Sequence, residues 1–127
     1  MAKILIVDDD EDIVEAIQLV LEREGHETTP AYNRREGMRQ VEEFGPDLIV
    51  LDVMMDEPDD GIAMAQDLRR QGFSKLILML TSVARVTGMK YGPDDELVPV
   101  DEFQEKPIDP ATLVAKVSEL LASKEEG

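Results

Sequence analysis

Five carboxylates stand in a row at Asp8 to Asp12, directly behind the apolar run Ile4–Val7. A second apolar run, LIVLD, ends in Asp52, a third, KLILMLT, ends in Thr81, and the segment DEFQE leads into Lys106. If the four stretches lie side by side, carboxylates, a hydroxyl and an ammonium share one basin. Carboxylates a few Å apart cannot all stay ionised without a compensating cation or a change of protonation. An all-oxygen donor set that retains several waters suits Mg²⁺. The cation, Lys106 and the Thr81 hydroxyl would together suit the equatorial oxygens of a phosphoryl group, and one carboxylate could act as its nucleophile, forming an acyl phosphate.

The elements that must deliver these groups are legible in the spacing. Residues 3–7, KILIV, read as a strand buried on both faces, as in a parallel sheet covered by helices. Residues 11–24 shift to helical spacing, with Ile13, Val14, Ile17, Val20 and Leu21 as the stripe, Asp10 as N-cap and Gly25 ending the helix. Residues 27–31, ETTPA, form a weaker strand, and Pro30 assigns it to a sheet edge because proline lacks the ladder N–H. Asn33 caps a helix over 34–44, and strands follow at 48–52, 75–81 and 101–105. A third helix is expected over 62–71 and a final one over 110–123, opened by Asp109-Pro110. Strands alternating with amphipathic helices predict an α/β fold: a doubly wound, five-stranded parallel sheet. A flavodoxin-like strand order, 2-1-3-4-5, puts the proline-bearing strand at an edge and the polar groups at the carboxyl ends of the strands, where such sheets bind ligands.

At 127 residues the chain is expected to be one domain. Lys and Arg number 13 against 29 Asp and Glu, a formal charge of −16, which argues against direct contact with nucleic acid or an anionic membrane. Cations or a basic protein surface are the better partners. There is no cysteine, so disulfides and thiolate metal sites are excluded. No signal peptide or spanning segment is visible, and a cytoplasmic location is expected. The lone histidine, His26, follows a helix end and reads as an exposed loop residue.

The motifs IVDDDE, LIVLDVMM, ILMLTS and EFQEKPI, in this order and each at an expected strand end, resemble the receiver domain of bacterial two-component response regulators. The similarity runs from Lys3 to about Ser123. It implies phosphoryl transfer from a sensor histidine kinase or phosphotransfer protein to an aspartate, with Mg²⁺ as cofactor. Matched position by position, Asp52 is the phosphoacceptor and Asp8 and Asp9 the acidic pair, Asp9 the direct ligand and Asp8 acting mainly through water. Met54 lends its backbone carbonyl to the metal, Thr81 is the switch hydroxyl, Lys106 the phosphoryl-binding lysine and Phe103 the switch aromatic. The Lys106-Pro107 bond corresponds to a peptide usually cis, accessible because it precedes proline. With no output domain expected, residues 1–127 would form a single receiver that signals by binding another protein.

Two stretches depart from the family pattern. The loop DEPDDG, 56–61, has Asp56 where proline is usual and is one residue longer. Residues 83–100, VARVTGMKYGPDDELVPV, hold two glycines and two prolines where a helix normally joins the fourth and fifth strands, so that helix is expected to be atypical or missing. Met54 and Val83 are apolar where polar side chains could orient an attacking water, which predicts a long-lived phospho-form.

Other functions fit parts of the pattern. Asp8 and Asp10 have the spacing of a Mg²⁺-dependent phosphohydrolase with an aspartyl nucleophile, though Asp12 stands where such enzymes want Thr or Val. A receiver-like interaction module that is never phosphorylated should have degenerate motifs, and these are intact. A calcium loop counted from Asp8 meets Ile13 and Leu19 where glycine and glutamate belong. A flavin carrier is disfavoured because the first turn is acidic.

Overall fold

The computed structural model describes residues 2–53, 60–82, 100–106 and 109–126. Within these lie strands β1 (Lys3–Val7), β2 (Glu27–Ala31), β3 (Leu48–Asp52), β4 (Leu76–Ser82) and β5 (Glu102–Lys106). The helices are α1 (Glu11–Arg23), α2 (Arg34–Phe44), α3 (Asp60–Arg70) and α4 (Pro110–Glu126). The strands form one sheet of order β2-β1-β3-β4-β5, every adjacent pair parallel. This is the flavodoxin-like order that the sequence predicts, with Pro30 on edge strand β2 in register with Ile6. The stretch 83–99, and with it the expectation of an atypical or missing helix, lies outside the described residues.

The apolar runs of β1, β3 and β4 are continuous because each of these strands feeds two cores. Leu5, Val7, Ile49, Leu51, Ile77 and Met79 point to the α2/α3 side, where Met64, Ala65 and Leu68 meet them. Ile4, Ile6, Leu48, Val50, Leu78 and Leu80 point the other way, against Val14, Ile17 and Leu21 of α1 and Leu113 and Val117 of α4. Side chains alternate across a strand, so a run apolar at every position needs a cover on both faces. Each fully buried Leu, Ile or Val contributes about 1.5–3 kcal/mol.

Local signals start and stop the helices. Asp10 caps α1: its Oδ1 accepts from the Asp12 and Ile13 N–H groups at 3.0 and 3.3 Å. Gly25, at φ 91°, lets the chain turn back so that the Gly25 N–H reaches Glu22 O and the His26 N–H reaches Leu21 O. Those two bonds make a Schellman ending, with Glu24 as the C-cap and Gly25 one residue beyond it. Asn33 caps α2 by accepting from the Glu36 N–H at 2.8 Å. Asp109 accepts from both the hydroxyl and the N–H of Thr112, at 2.7 and 3.0 Å, and these bonds hold its carboxyl below the ordinary value.

Two boundaries and one side chain differ from the sequence reading. Helix α3 begins at Asp60, two residues before the expected 62, because Asp60 suits the positive end of a helix and Gly61 is used for a close approach rather than a turn. Strand β5 begins at Glu102 because Asp101 turns its carboxylate onto β4: Oδ2 accepts from the Ile77 N–H at 2.8 Å and from Arg69 at 2.9 Å. His26 is not a free loop residue: it is half-buried, and its Nδ1 accepts from the Ala2 N–H at 3.1 Å. Burial is the first cause that pulls its pKa below 6.5.

Candidate functional site

The carboxyl ends of β1 and β3 carry the site. The Asp8 N–H donates to Ala31 O at 3.1 Å, extending the β1–β2 contact by one residue and fixing the Asp8 backbone. Its side chain is fully buried, and Oδ1 accepts from the Asp10 N–H at 2.9 Å. Asp9 is exposed. The acidic row therefore divides: Asp8 and Asp9 face the strand ends, Asp10 caps α1, and Glu11 and Asp12 occupy its first turn, where the helix dipole favours them.

Asp52 ends β3 in register with Leu80 and is 5% exposed. A carboxylate this deep requires polar partners, because its charge is costly away from water. One carboxylate oxygen from each of Asp8, Asp9 and Asp52 lies within 4.8 Å of the others. Opposite ligands of octahedral Mg²⁺ lie about 4.2 Å apart. The three groups thus stand close to the span such an ion requires, and all three offer the hard oxygen donors it prefers. Among the described residues, no other such group of acidic side chains or histidines is found.

The remaining residues are positioned by the sheet. Thr81 pairs with Glu105 and Ser82 with Lys106, so Thr81 and Lys106 are at the same end of adjacent strands β4 and β5, the end at which Asp52 closes β3. Phe103 pairs with Met79 one turn of the pleat below. Met54, Val83, Pro107 and residues 56–59 lie outside the described residues.

Two nearby residues carry features that the sequence reading missed. Gly61 packs against the backbone of Asp52 and Val53. Its sequence signal is a glycine closing the acidic loop after the LIVLD strand, where the family pattern usually has one, and this does not show what the glycine packs against. Gln104 on β5, in register with Leu80, is 5% exposed, and its Oε1 has no hydrogen-bond partner among the described residues. A glutamine inside a short polar strand gives no sequence sign that it is buried.

Residues 4–118 match the family described as response regulator receiver domain. The chain belongs to that family. This receiver is 39% identical over 127 residues to the alkaline phosphatase synthesis transcriptional regulatory protein PhoP of Bacillus subtilis (strain 168), a match covering 97% of this chain and 50% of that protein. It is 34% identical over 120 residues to the regulatory protein VanRc of Enterococcus gallinarum, covering 91% of this chain and 48% of that one. The chain thus spans about half the length of these curated relatives. Among solved structures, the chemotaxis protein CheY4 of Vibrio cholerae superposes with a TM-score of 0.79 at 26% identity, covering 94% of this chain and 98% of that one. The receiver domain of the Francisella response regulator 1452 shares the fold, with a TM-score of 0.80 at 24% identity over 98% of this chain and 99% of that one. The receiver fold accounts for the sheet order and for an acidic cluster at the switch between β1 and β3. Among the described residues, no helix is long and apolar enough to cross a membrane.

Proposed function

We propose that this receiver is a phosphoryl-accepting signalling switch in which Asp52 is the acceptor, residues 1–127 act as one receiver unit, and the donor is the phosphohistidine of a sensor histidine kinase or phosphotransfer protein. In the transfer, an Asp52 carboxylate oxygen bonds to phosphorus while the bond from phosphorus to the imidazole nitrogen breaks and its electron pair returns to the ring. Asp8, Asp9, Asp52 and the Met54 carbonyl would hold Mg²⁺, which supplies positive charge against the phosphoryl oxygens. Lys106 and the Thr81 hydroxyl would meet the other oxygens, and Thr81 and Phe103 would shift together once the acyl phosphate forms. The unit autocatalyses gain and loss of its phosphoryl group and passes its state to a downstream protein, with no direct nucleic-acid or membrane contact and a cytoplasmic place of action. The apolar Met54 and Val83 give the acyl phosphate a long life.

The observation that carries this reading is the convergence of Asp8, Asp9 and buried Asp52 on one point at strand ends far apart in sequence. The same geometry weighs against a phosphohydrolase acting through Asp8. Asp8 is fully buried and engaged with the Asp10 N–H, and Asp10 is spent as a helix cap.

Incubation with Mg²⁺ and acetyl phosphate, or with a phosphorylated histidine kinase, tests the proposal. The expected product carries a single alkali-labile phosphate that is lost in Asp52→Asn. Label on Asp8, or turnover of phosphate esters, would transfer the assignment to a hydrolase. Absence of label with every donor would leave an interaction module.

A further inference from the structure

Gly61 sits in the first turn of α3, and its backbone is not in the left-handed region reserved for glycine. Conformational freedom is therefore not the reason for a glycine at this position. Space is: a Cβ there would lie 1.9 Å from the Asp52 carbonyl oxygen, 2.8 Å from the Asp52 carbonyl carbon and 2.7 Å from Val53 Cα. All three are backbone atoms of the strand end that carries the proposed acceptor, and none can rotate away. Gly37 on α2 is a useful contrast. A Cβ there would meet Met64 Cε at 2.8 Å, Met64 Sδ at 3.2 Å and Val7 Cγ1 at 3.2 Å, which are side-chain atoms, the methionine ones at the end of a flexible chain.

Hydrogen bonds hold the contact from both sides. The Gly61 N–H donates to Val53 O at 2.8 Å, and the Val53 N–H donates to Leu80 O at 3.0 Å. The Asp52–Val53 segment is thereby clamped between β4 and the first turn of α3. Helix α3 is itself tied to α2, because Asp67 accepts from Arg34 of α2 as well as from Arg70.

We propose that Gly61 is a positioning residue for Asp52: by lacking a side chain it lets the first turn of α3 rest on the Asp52–Val53 backbone and so fixes where the Asp52 carboxylate stands relative to Asp8 and Asp9. The inference rests on Asp52 being the acceptor, and it adds a mechanical determinant to that site. A side chain at residue 61 pushes α3 and the strand end apart by a substantial fraction of an ångström or more. Displacement of about 1 Å at a reacting group is enough to cost about a hundredfold in rate.

The test compares wild type, Gly61→Ala and Gly37→Ala in the full 127-residue chain. Three quantities are read: the rate of Asp52 labelling by acetyl phosphate, the affinity for Mg²⁺ and the thermal midpoint. Both variants should lose stability. Gly61→Ala should also label on the order of 10²-fold more slowly and bind Mg²⁺ more weakly, whereas Gly37→Ala should label near the wild-type rate. Wild-type labelling and Mg²⁺ affinity in Gly61→Ala would overturn the proposal. If Gly61→Ala does not fold, glycolic acid in place of Gly61 replaces the N–H by an ester oxygen without adding bulk. Labelling should again slow, and an unchanged rate would overturn the proposal, because loosening the contact would then leave the placement of Asp52 unaltered. A wild type that takes no label would refute the acceptor reading separately, and the Mg²⁺ titration would still decide the role of Gly61.

Discussion

The two rims of the sheet use the same residue type to opposite ends. At the amino rim, each aspartate is given donors. Asp47, just before β3, accepts from the Lys3 N–H at 3.0 Å and stands 3.9 Å from Lys75 Nζ. Asp101, just before β5, accepts from the Ile77 N–H and the Arg69 guanidinium. Both carboxylates stitch a strand to its neighbour where the ladder begins. At the carboxyl rim, Asp8, Asp9 and Asp52 are brought against one another. Carboxylates paired with N–H groups and cations serve stability, whereas carboxylates packed together hold charge for a cation to neutralise.

The largest effect that could break this contrast is on phosphoryl uptake. Asp52→Asn should abolish labelling while Asp101→Asn keeps it; labelling that survives in the first variant, or vanishes in a folded second, removes the distinction. Stability should show the reverse. Asp101→Ala leaves the buried Ile77 N–H without its acceptor and should cost about 1–3 kcal/mol in denaturant unfolding, with Mg²⁺ affinity unchanged. At the carboxyl rim the sign inverts. Asp9→Asn removes one like charge from an exposed position and should stabilise the metal-free protein by up to about 1 kcal/mol, the value for unit charges about 4 Å apart in water. The same variant should lose much of the stabilisation that saturating Mg²⁺ gives the wild type. A destabilised metal-free Asp9→Asn would mean that the cluster is not repulsive.

The smallest effect lies at the amino rim, in His26. Burial disfavours its charged form, so its folded pKa is lowered from 6.5. The neutral ring accepts from the Ala2 N–H, which a protonated Nδ1 cannot do. This contribution is present in full above the unfolded value and is lost as pH falls through the folded one. The wild type should therefore lose more stability than His26→Gln on acidification below about pH 6.5, and proton NMR should place the His26 titration below that of a free histidine. Equal pH slopes in the two proteins would show that the contact carries no weight.

Much of this was legible in the residues. The apolar runs Ile4–Val7 and Leu48–Leu51 are apolar at every position, which only a doubly covered strand requires, and Pro30 left its strand no place but an edge. Asp10, Asn33 and Gly25 announced helix ends through local hydrogen bonds that need no tertiary partner. Where the reading slipped, the deciding partner was distant in sequence. Asp101 left the expected fifth strand to bond across to Ile77, and His26 met Ala2, 24 residues away. Gly61 read as loop because glycine commonly marks a turn, yet its neighbour is the backbone nine residues earlier, at Asp52.

The sequence by itself determined the alternation of strands and helices, the edge position of β2 and the set of polar residues that end the strands, because periodicity, capping and proline chemistry are local. Only the tertiary structure decided that carboxylate oxygens of Asp8, Asp9 and Asp52 come within 4.8 Å of one another and that the first turn of α3 packs at Gly61 on the Asp52–Val53 backbone. Each of those facts is a distance between segments, and distance across a fold is set by packing, which no single stretch of chain contains.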